Sequence, residues 1–323
     1  MQAVRVHENA VLAFETVPDP EPKPGEAVVE LRAAAVNRRD LLVRQGVYPF
    51  PLPLTPGSDG AGVRRDTGEE VVILPSLNWG PSEAAAGEDF EILGGPRDGT
   101  YAELVALPVE NLYAKPAQLS WEEAAAFPLA GLTAYRALFA RGRLSAGETV
   151  LVLGAGSGVS TFAVQLAAQV GARVLVTSST QEKIDRAVEL GADRGFLYTE
   201  ADWVEAVRGA TGGRGADLVV DSVGSTWADS LRAVARGGRV VVFGATAGTE
   251  ATLQVRPFYL QWLSLLGTTM GSPADFEALL RMLAAARWRP VIDSVRPLAE
   301  AEAAHARLTG DAAKFGKLVL TCA

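Results

Sequence analysis

Apolar positions along the chain follow two different periods, and the change between them divides the sequence. Up to residue 118, short apolar or alternating runs such as Ala27–Ala33 and Glu70–Leu74 stand between proline and glycine turns. This pattern is typical of strands in a small, β-rich barrel. Ser120 and Glu123 then have the spacing of a helix capping box, so helices are expected to follow the first unit.

From Thr149 onward, strand-like and helix-like runs alternate. Because crossovers between parallel strands are right-handed, this order predicts an α/β, doubly wound parallel sheet. The tail from residue 290 resumes the β-rich pattern, and we expect it to return to the first domain. We therefore predict a β-rich domain from residues 1–118 and 271–323, and a doubly wound domain from residues 119–270. The predicted strands are 149–153, 173–177, 194–198, 217–221 and 239–243, and the predicted helices are 158–170, 181–190, 201–210 and 227–236.

The stretch Thr149–Val159 is the most informative part of the sequence. Its strand-like start runs into Gly154, Gly156 and Gly158, an apolar helical run follows, and a second strand, Arg173–Thr177, closes the unit. Glycines allow a tight turn close to a pyrophosphate, and the helix N-terminus offers N–H groups to that anion. A purely structural turn is the alternative. The flanking strands and helix favour dinucleotide binding.

The end of the second strand indicates which dinucleotide is bound. NAD sites usually place an acid about 20 residues after the glycine motif, where it bonds the ribose 2′-hydroxyl. Here that place reads Ser178-Ser179, with Lys183 close behind. The absence of a carboxylate and the nearby lysine favour NADP(H). As an alternative, Ser178 caps the next helix and Lys183 is a solvated residue.

Composition narrows the function classes. With 323 residues and 48% hydrophobic content, the chain is long enough for two domains with real cores. A net charge of −8 argues against nucleic acid or an anionic membrane as a partner. The one cysteine, Cys322, excludes a disulfide framework and is consistent with a cytoplasmic protein. The N-terminus has no signal-peptide pattern, and no apolar run approaches the roughly 20 residues of a membrane span.

Seven short motifs occur in the order that one enzyme family shows. On these motifs the chain resembles the medium-chain dehydrogenase/reductase superfamily, most closely its zinc-free quinone oxidoreductase branch, over essentially its whole length. The resemblance implies a GroES-like catalytic domain, a Rossmann domain and hydride transfer between cofactor and substrate in the cleft between them. The motifs are Val36–Asp40, Pro56–Gly62, Gly99–Glu103, Ala130–Ala134, the glycine turn, Glu189–Asp193 and Phe315–Leu318.

No metal is expected. A catalytic zinc needs about three histidine, cysteine or acidic ligands, and the only imidazoles and thiol of the chain are His7, His305 and Cys322. By resemblance, Asn37 stands where zinc-dependent relatives have a cysteine ligand, and Ser58 stands where they have a histidine. Without a Lewis acid to hold an alkoxide, alcohol oxidation lacks its main charge stabilisation. Quinones and α,β-unsaturated carbonyls need less help, so they are the expected substrates.

Four residues are the catalytic candidates. Asn37 is predicted to hydrogen-bond either the substrate carbonyl or the nicotinamide carboxamide, with a turn-stabilising role as the alternative. Asp40 is a candidate for a catalytic role, with helix capping as the alternative. Tyr48 matches an aromatic residue that the family places in the substrate pocket. The alternative is that it only packs on the neighbouring prolines. Trp79 lies in a loop that is predicted to line the pocket. Ser58 is interpreted as a space-filler.

The cofactor candidates follow from strand ends and from the resemblance. Doubly wound sheets bind ligands at the carboxyl ends of their strands, and several of these residues come just after predicted strands. Lys317 is interpreted as reaching a phosphate or, alternatively, as solvated. The full set is Thr133, Gly154, Gly156, Ser157, Gly158, Val159, Ser178, Ser179, Lys183, Tyr198, Val223, Phe243, Gly244, Thr246, Thr268, Met270 and Lys317.

Two other functions remain open. An enoyl-thioester reductase of the same superfamily needs a basic entrance for CoA or carrier phosphates, which Arg38, Arg39 and Arg44 are placed to supply. A cofactor-binding protein without turnover is the second alternative. For assembly, we predict an apolar strand at Trp262–Thr268 with both faces covered. The resemblance implies a homodimer, or a tetramer built from it, joined at that sheet edge.

Overall fold

The computed structural model describes residues 1–200, 202–310 and 313–322. It divides the chain into two compact units, of which the first is Met1–Ala130 with Ser272–Ala323 and the second is Gly131–Gly271. The return of the C-terminal tail to the N-terminal region matches the prediction. Among the described residues, no helix is both long and apolar enough to cross a membrane.

The first unit is built on an antiparallel sheet with one parallel pair at its edge. Its sheet runs in the order β16-β17-β3-β4-β5-β9, with β8 also paired to β3, while β1-β2 and β6-β7 form two small sheets. The elements of this unit are β1 (Gln2–Val6), β2 (Leu12–Thr16), β3 (Glu26–Val36), α1 (Arg38–Arg44), β4 (Asp59–Arg64), β5 (Glu70–Ile73), β6 (Ser76–Leu77), β7 (Glu91–Ile92), β8 (Leu104–Pro108), β9 (Leu112–Ala114), α2 (Trp121–Ala126), α9 (Pro273–Ala285), β16 (Ile292–Pro297), α10 (Ala301–Gly310) and β17 (Lys317–Thr321).

Alternation along β3 explains the core of this unit. Val29 and Leu31 are fully buried, and they pack in one cluster with Ile73 of β5, Leu107 of β8 and Leu320 of β17. Side chains two residues apart share one face of a strand, so a period of two fills one layer. The longest strand therefore organises the sheet, and its partners carry the remaining core residues.

The boundary after the first unit lies about a dozen residues later than predicted. Ser120 and Glu123 form the expected capping box, with each side chain accepting from the other residue's backbone N–H at 3.2 and 2.9 Å. The helix that they start, α2, buries three consecutive alanines, Ala124–Ala126. It packs on β3, β4 and β17, so it belongs to the first unit and not to the second.

The second unit is a parallel sheet of six strands in the order β12-β11-β10-β13-β14-β15. The order reverses between β10 and β13, as a doubly wound sheet requires. Observed and predicted elements agree closely, although β14 begins earlier than expected and Ala201 lies outside the described residues. The elements are β10 (Thr149–Val152), α4 (Gly158–Gln169), β11 (Arg173–Ser178), α5 (Gln181–Glu189), β12 (Arg194–Leu197), α6 (Trp203–Ala210), β13 (Ala216–Asp221), α7 (Trp227–Ala233), β14 (Val234–Val242), α8 (Val255–Leu260), β15 (Ser264–Gly267) and, across the boundary with the first unit, α3 (Pro128–Tyr135).

The last strand, β15, is shorter and more open than predicted. Trp262 does not belong to it, because this residue takes a positive φ of 52° in the preceding turn and is 63% exposed. Ser264 and Gly267 are exposed and Leu265 and Leu266 are half-buried. Within the described part of the second unit, the two faces of β15 are therefore only partly covered, and the prediction that both are covered depends on a second copy of the chain.

Candidate functional site

The glycine turn of the second unit forms an anion-binding helix start. Gly154 and Gly156 take positive φ values of 72° and 104°, which glycine adopts without steric cost. Ser157 caps the 12-residue helix α4 by accepting from Ser160 N–H. The N–H groups of Gly158 and Val159 have no acceptor among the described residues. These two donors, at the positive end of the helix dipole, suit a pyrophosphate.

The end of β11 keeps its acid-free character in three dimensions. Ser178 is 1% exposed, and its hydroxyl donates to Ala155 O at 3.2 Å. Thr180, not Ser178, caps α5 and accepts from Lys183 N–H. Ser179 is half-buried, and Lys183 lies in the first turn of α5 with a half-buried side chain. The prediction that Ser178 contacts the cofactor is weakened, since its hydroxyl proton is already used.

A buried aspartate, which the sequence analysis did not single out, fixes the loop that carries Val223. The Asp221 carboxylate, fully buried at the end of β13, accepts from the N–H groups of Val223 and Gly224 at 2.7 and 3.3 Å. It also accepts from the hydroxyls of Thr226 and Ser230, both at 2.8 Å. The loop at this strand end is thus held by four hydrogen bonds to one side chain.

Three further cofactor candidates contact Asp221 or Ser222 at the start of that loop. Thr246 N–H donates to Ser222 O at 3.2 Å, and Phe243 N–H donates to Asp221 O at 3.1 Å. Gly244 packs so close to Ser222 that an added Cβ would lie 2.9 Å from the Ser222 carbonyl oxygen. Backbone hydrogen bonds and close backbone packing therefore join the segments that follow β13 and β14.

The remaining candidates of the second unit differ in exposure. Tyr198 is 49% exposed, whereas Thr133 and Met270 are 6% and 3% exposed. The Thr268 hydroxyl is buried and has no hydrogen-bond partner among the described residues. An unpartnered buried polar group at the end of β15 calls for an explanation, and a ligand or a water is the usual one.

In the first unit, three strand ends bring a lysine, an aspartate and an asparagine together. The register pairs Ala35 of β3 with Asp59 of β4, and Leu318 of β17 with Val36. Lys317 therefore stands next to Asn37 and Asp59 although 258 residues separate it from Asp59. Its Nζ donates to Asp59 Oδ2 at 2.9 Å and to Asn37 Oδ1.

This position corrects the interpretation of Lys317. Its side chain is 3% exposed and Asp59 is fully buried, so the two form a buried ion pair. A lysine held in this way reaches no phosphate, because leaving Asp59 would abandon a buried carboxylate. Asp59 was not singled out from the sequence. Its other oxygen, Oδ1, accepts from Leu129 N–H at 2.6 Å.

Asp40 serves as a helix cap, as the alternative interpretation held. Its Oδ2 accepts from Asn37 N–H at 2.8 Å and from the Tyr101 hydroxyl at 3.0 Å. Burial raises the pKa of Asp40 to about 6, against the lowering effect of these donors and of Arg39. Because Asp40 is fully buried, it has no surface on which to meet a substrate.

Tyr101 continues this network to a histidine. Its ring lies against Gly57, where an added Cβ would stand 2.4 Å from Tyr101 Cδ1. His305 Nε2 lies 3.3 Å from the Tyr101 oxygen. Because the Tyr101 proton goes to Asp40, His305 must donate from Nε2. Burial lowers the pKa of His305 to about 4, which keeps the ring neutral.

Tyr48 is the one catalytic candidate with a large exposed surface. It is 42% exposed and stacks on Phe50 at 6.4 Å between ring centroids. The Arg39 guanidinium lies 5.7 Å from the Tyr48 ring and also donates to backbone carbonyls of the 92–95 segment. Tyr48 thus packs on Phe50 and Arg39 and keeps part of its side chain exposed.

Trp79 is placed in the interior of its loop instead of on a pocket wall. It is 4% exposed, its Nε1–H donates to Ser82 O at 2.9 Å, and Phe90 packs edge-on at 5.3 Å. Ser58 is fully buried and donates to Leu93 O at 2.7 Å. Both residues therefore hold the 77–98 loop.

Comparison with known proteins agrees with this architecture. The family model of the alcohol dehydrogenase GroES-like domain matches residues 23–117, and that of the zinc-binding dehydrogenase matches residues 158–285. A zinc-type alcohol dehydrogenase-like protein of Schizosaccharomyces pombe is 35% identical over 92% of this chain and 91% of its own length. The quinone oxidoreductase of Rattus norvegicus is 30% identical, over 99% of this chain and 97% of its own.

A solved structure gives the same result for the fold. The crystal structure of an NAD-dependent alcohol dehydrogenase superposes with a TM-score of 0.93 at 42% identity, covering 99% of both chains. A GroES-like unit and a doubly wound unit in one chain define a class of oxidoreductases that bind nicotinamide cofactors. This chain belongs to the medium-chain dehydrogenase/reductase superfamily, and within it to the zinc-free quinone oxidoreductase branch.

Proposed function

We propose that the protein uses NADPH to deliver a hydride to a quinone or another activated alkene or carbonyl, without zinc. The observation that carries the cofactor choice is the end of β11, where Ser178 and Ser179 replace an acid and Lys183 lies in the first turn of α5. A carboxylate there would repel a 2′-phosphate, and a lysine attracts it. The free N–H groups of Gly158 and Val159 fit the pyrophosphate.

The division of labour follows from the chemistry that the cofactor brings. When bound, NADPH supplies the hydride, so the chain has to bind, orient and desolvate the reactants. The glycine turn and the loop held by Asp221 would bind the cofactor, and Tyr48 offers a ring face and a hydroxyl to a flat acceptor such as a quinone. Among the described residues, no three histidine, cysteine or acidic side chains form a group that would hold a metal, which supports a reaction without zinc.

Charge also bears on the enoyl-thioester alternative. That activity needs basic side chains to meet the phosphates of CoA or a carrier protein. Arg39 is used by backbone carbonyls of the 92–95 segment, and Arg44 donates to Ala10 O and pairs with Glu302. Arg39 and Arg44 are therefore already paired, which favours the quinone reductase proposal.

Cofactor affinities test the proposal directly. NADPH is expected to bind at least about tenfold more tightly than NADH, a gap of roughly 1.4 kcal/mol. Lys183→Ala should remove most of this preference and leave the dissociation constant of NADH within about twofold. Arg186→Ala, one turn further along α5, is the matched control for loss of a positive charge. Equal losses for both cofactors would exclude the 2′-phosphate assignment.

Turnover separates the remaining functions. NADPH oxidation with a panel of quinones, compared with crotonyl-CoA, distinguishes a quinone reductase from a thioester reductase. A protein that binds NADPH but does not oxidise it in the presence of any of these acceptors would be a non-catalytic binder. Elemental analysis should give well under one zinc per chain, and EDTA should leave the rate unchanged. Stoichiometric zinc with a chelator-sensitive rate would overturn the mechanism.

We further propose a cytoplasmic homodimer, or a tetramer built from it, joined at the β15 edge. β15 ends the sheet order of the second unit, and it has one partner strand among the described residues. Exposed apolar side chains lie close in sequence: Val255, Tyr259, Leu260 and Trp262. An open strand edge with apolar surface invites pairing with a second copy. Light scattering should show at least a dimer, and Leu265→Pro should dissociate or unfold it because proline removes a ladder donor.

A further inference from the structure

Three buried side chains form one hydrogen-bond chain across the first unit. Tyr101 is its middle member, with the hydroxyl oxygen 3.0 Å from Asp40 Oδ2 and 3.3 Å from His305 Nε2. Asp40 belongs to α1 and His305 to α10. At the two ends, Asp40 Oδ1 and His305 Nδ1 are buried and have no hydrogen-bond partner among the described residues. A proton added to this chain must therefore be accommodated by its own three members.

An ionised Asp40 sets the direction of both hydrogen bonds. A carboxylate only accepts, so Tyr101 donates its one proton to Asp40, and the Tyr101 oxygen accepts from His305 Nε2–H. Asp40 Oδ2 also accepts from Asn37 N–H at 2.8 Å, at the start of α1. In this state the three side chains carry one negative charge, and the ring proton of His305 lies on Nε2.

A protonated Asp40 has one acceptor within reach. A proton on its Oδ1 would be a buried donor without a partner, which is costly. A proton on its Oδ2 meets Asn37 N–H, which only donates, and the Tyr101 oxygen, which can accept. Tyr101 must then donate to His305 Nε2, so the ring proton must lie on Nδ1. Nδ1–H stays unpaired, but an imidazole N–H is a weaker donor than a carboxylic acid, so the stronger donor is the one that is satisfied.

We propose that Asp40, Tyr101 and His305 form a one-proton switch whose two hydrogen bonds reverse together. One proton is taken up, Asp40 becomes a neutral acid, and the ring proton of His305 moves from Nε2 to Nδ1. The negative charge of the chain is removed, and no other bond changes. A neutral acid accepts a hydrogen bond more weakly than a carboxylate, so the bond from Asn37 N–H weakens and the start of α1 loosens. The switch lies within the first unit and needs neither cofactor nor substrate.

The surroundings decide which member holds the added proton. Burial raises the pKa of Asp40 to about 6, although its hydrogen bonds and the charge of Arg39 oppose this. Burial lowers the pKa of His305 to about 4. Between these two values the proton is held by Asp40, and the ring stays neutral. The charged and titratable groups that act on the chain are Arg39 and Arg44 of α1, Asp59 of β4, Glu302 of α10, Lys317 of β17 and Cys322.

Nuclear magnetic resonance of the histidine rings tests the switch, because the sequence has two histidines, His7 and His305. In protein labelled with nitrogen-15 histidine, His7→Gln leaves the ring signals of His305 alone, and their shifts report which nitrogen is protonated. The proton should lie on Nε2 at about pH 8 and on Nδ1 at about pH 5. The midpoint of this change should equal that of the Asn37 backbone amide shift, which senses the charge of Asp40.

Two variants in the same background break the chain at different points. Tyr101→Phe keeps the ring and removes the hydroxyl, so the protonated nitrogen of His305 should be the same at both pH values. The Asn37 amide should still titrate in this variant, because Asp40 still does. Asp40→Asn keeps an oxygen for Asn37 N–H and takes up no proton, so His305 should stay protonated on Nε2. A thermal unfolding curve for each variant confirms that it is folded.

Three outcomes would contradict the switch. A ring that keeps its proton on Nε2 at about pH 5, while the Asn37 amide titrates, would place the proton of Asp40 on Oδ1. A ring protonated on both nitrogens would mean that His305 holds the added proton. A change from Nε2 to Nδ1 with an unaltered midpoint in Tyr101→Phe would show that the hydroxyl does not couple the two ends.

Discussion

The glycine turn of the second unit and the Asn37–Asp59–Lys317 group of the first unit are built in opposite ways. The turn lies within the consecutive residues Gly154–Val159, and the function proposed for it depends on backbone N–H groups at one helix start. The group joins three side chains from three strand ends, with Asn37 and Lys317 280 residues apart. A local motif depends on backbone conformation, whereas an assembled one depends on sheet register and on charge.

This difference predicts where single substitutions cost most stability. Asp59→Asn leaves the Lys317 ammonium buried without its partner, which should lower the free energy of unfolding by about 3–5 kcal/mol. Adding Lys317→Met should restore most of that loss, because the pair is then neutral. Urea unfolding followed by circular dichroism measures both variants. If the double variant were as unstable as the single one, the ion pair would not be the cause.

The next-largest effects are two opposing pH dependences of the free energy of unfolding, and both arise in the hydrogen-bond network of Asp40, Tyr101 and His305. Burial raises the pKa of Asp40 from 3.8 to about 6, so the folded state binds its proton more tightly than the unfolded state. Stability from this group is therefore lost as the pH rises from about 4 to 6. Burial lowers the pKa of His305 from 6.5 to about 4. Stability from His305 is therefore gained over nearly the same range, and each effect amounts to about 3 kcal/mol.

Single substitutions should separate these two effects. Relative to the wild type, Asp40→Asn should gain stability as the pH rises from 4 to 7, and His305→Gln should lose it. Both replacements keep polar groups for Tyr101, and Arg39, Lys317, Arg44 and Glu302 are the charged neighbours that stay in place. Unfolding free energies at four pH values give the two slopes. Differences that do not vary with pH in either variant would contradict the buried titration.

How far the sequence predicted the molecule follows from the same comparison. The start of α4 at Gly158, the strand at 173–178 and the capping box of Ser120 depend on neighbouring residues, and they were predicted closely. The role of Lys317 was not, because only the pairing of β17 with β3 places it against Asp59. No period or spacing in the chain encodes which strands become neighbours at that distance.

The role of Asp221 is intermediate between a feature set by neighbouring residues and one set by the pairing of distant strands. It lies next to residues that were considered for cofactor binding, but its role depends on the hydroxyls of Thr226, just before α7, and of Ser230, within α7. Asp221→Ala should lower stability by about 2–3 kcal/mol, because it leaves buried donors without an acceptor. It should also weaken NADPH binding through the Val223 loop. Ser230→Ala removes one of the four bonds, and about 1 kcal/mol is expected; equal losses would argue against a shared carboxylate.

The smallest effect separates two neighbouring serines that the sequence does not distinguish. Ser178 is buried and donates to Ala155 O, whereas Ser179 is half-buried with no side-chain hydrogen bond to the described residues. Ser178→Ala should cost about 1 kcal/mol of stability and change NADPH affinity less than about twofold. Ser179→Ala should leave stability within about 0.5 kcal/mol and weaken NADPH about two- to fivefold, but not NADH. A selective loss of NADPH in Ser178→Ala would show that this buried hydroxyl turns toward the 2′-phosphate when the cofactor binds.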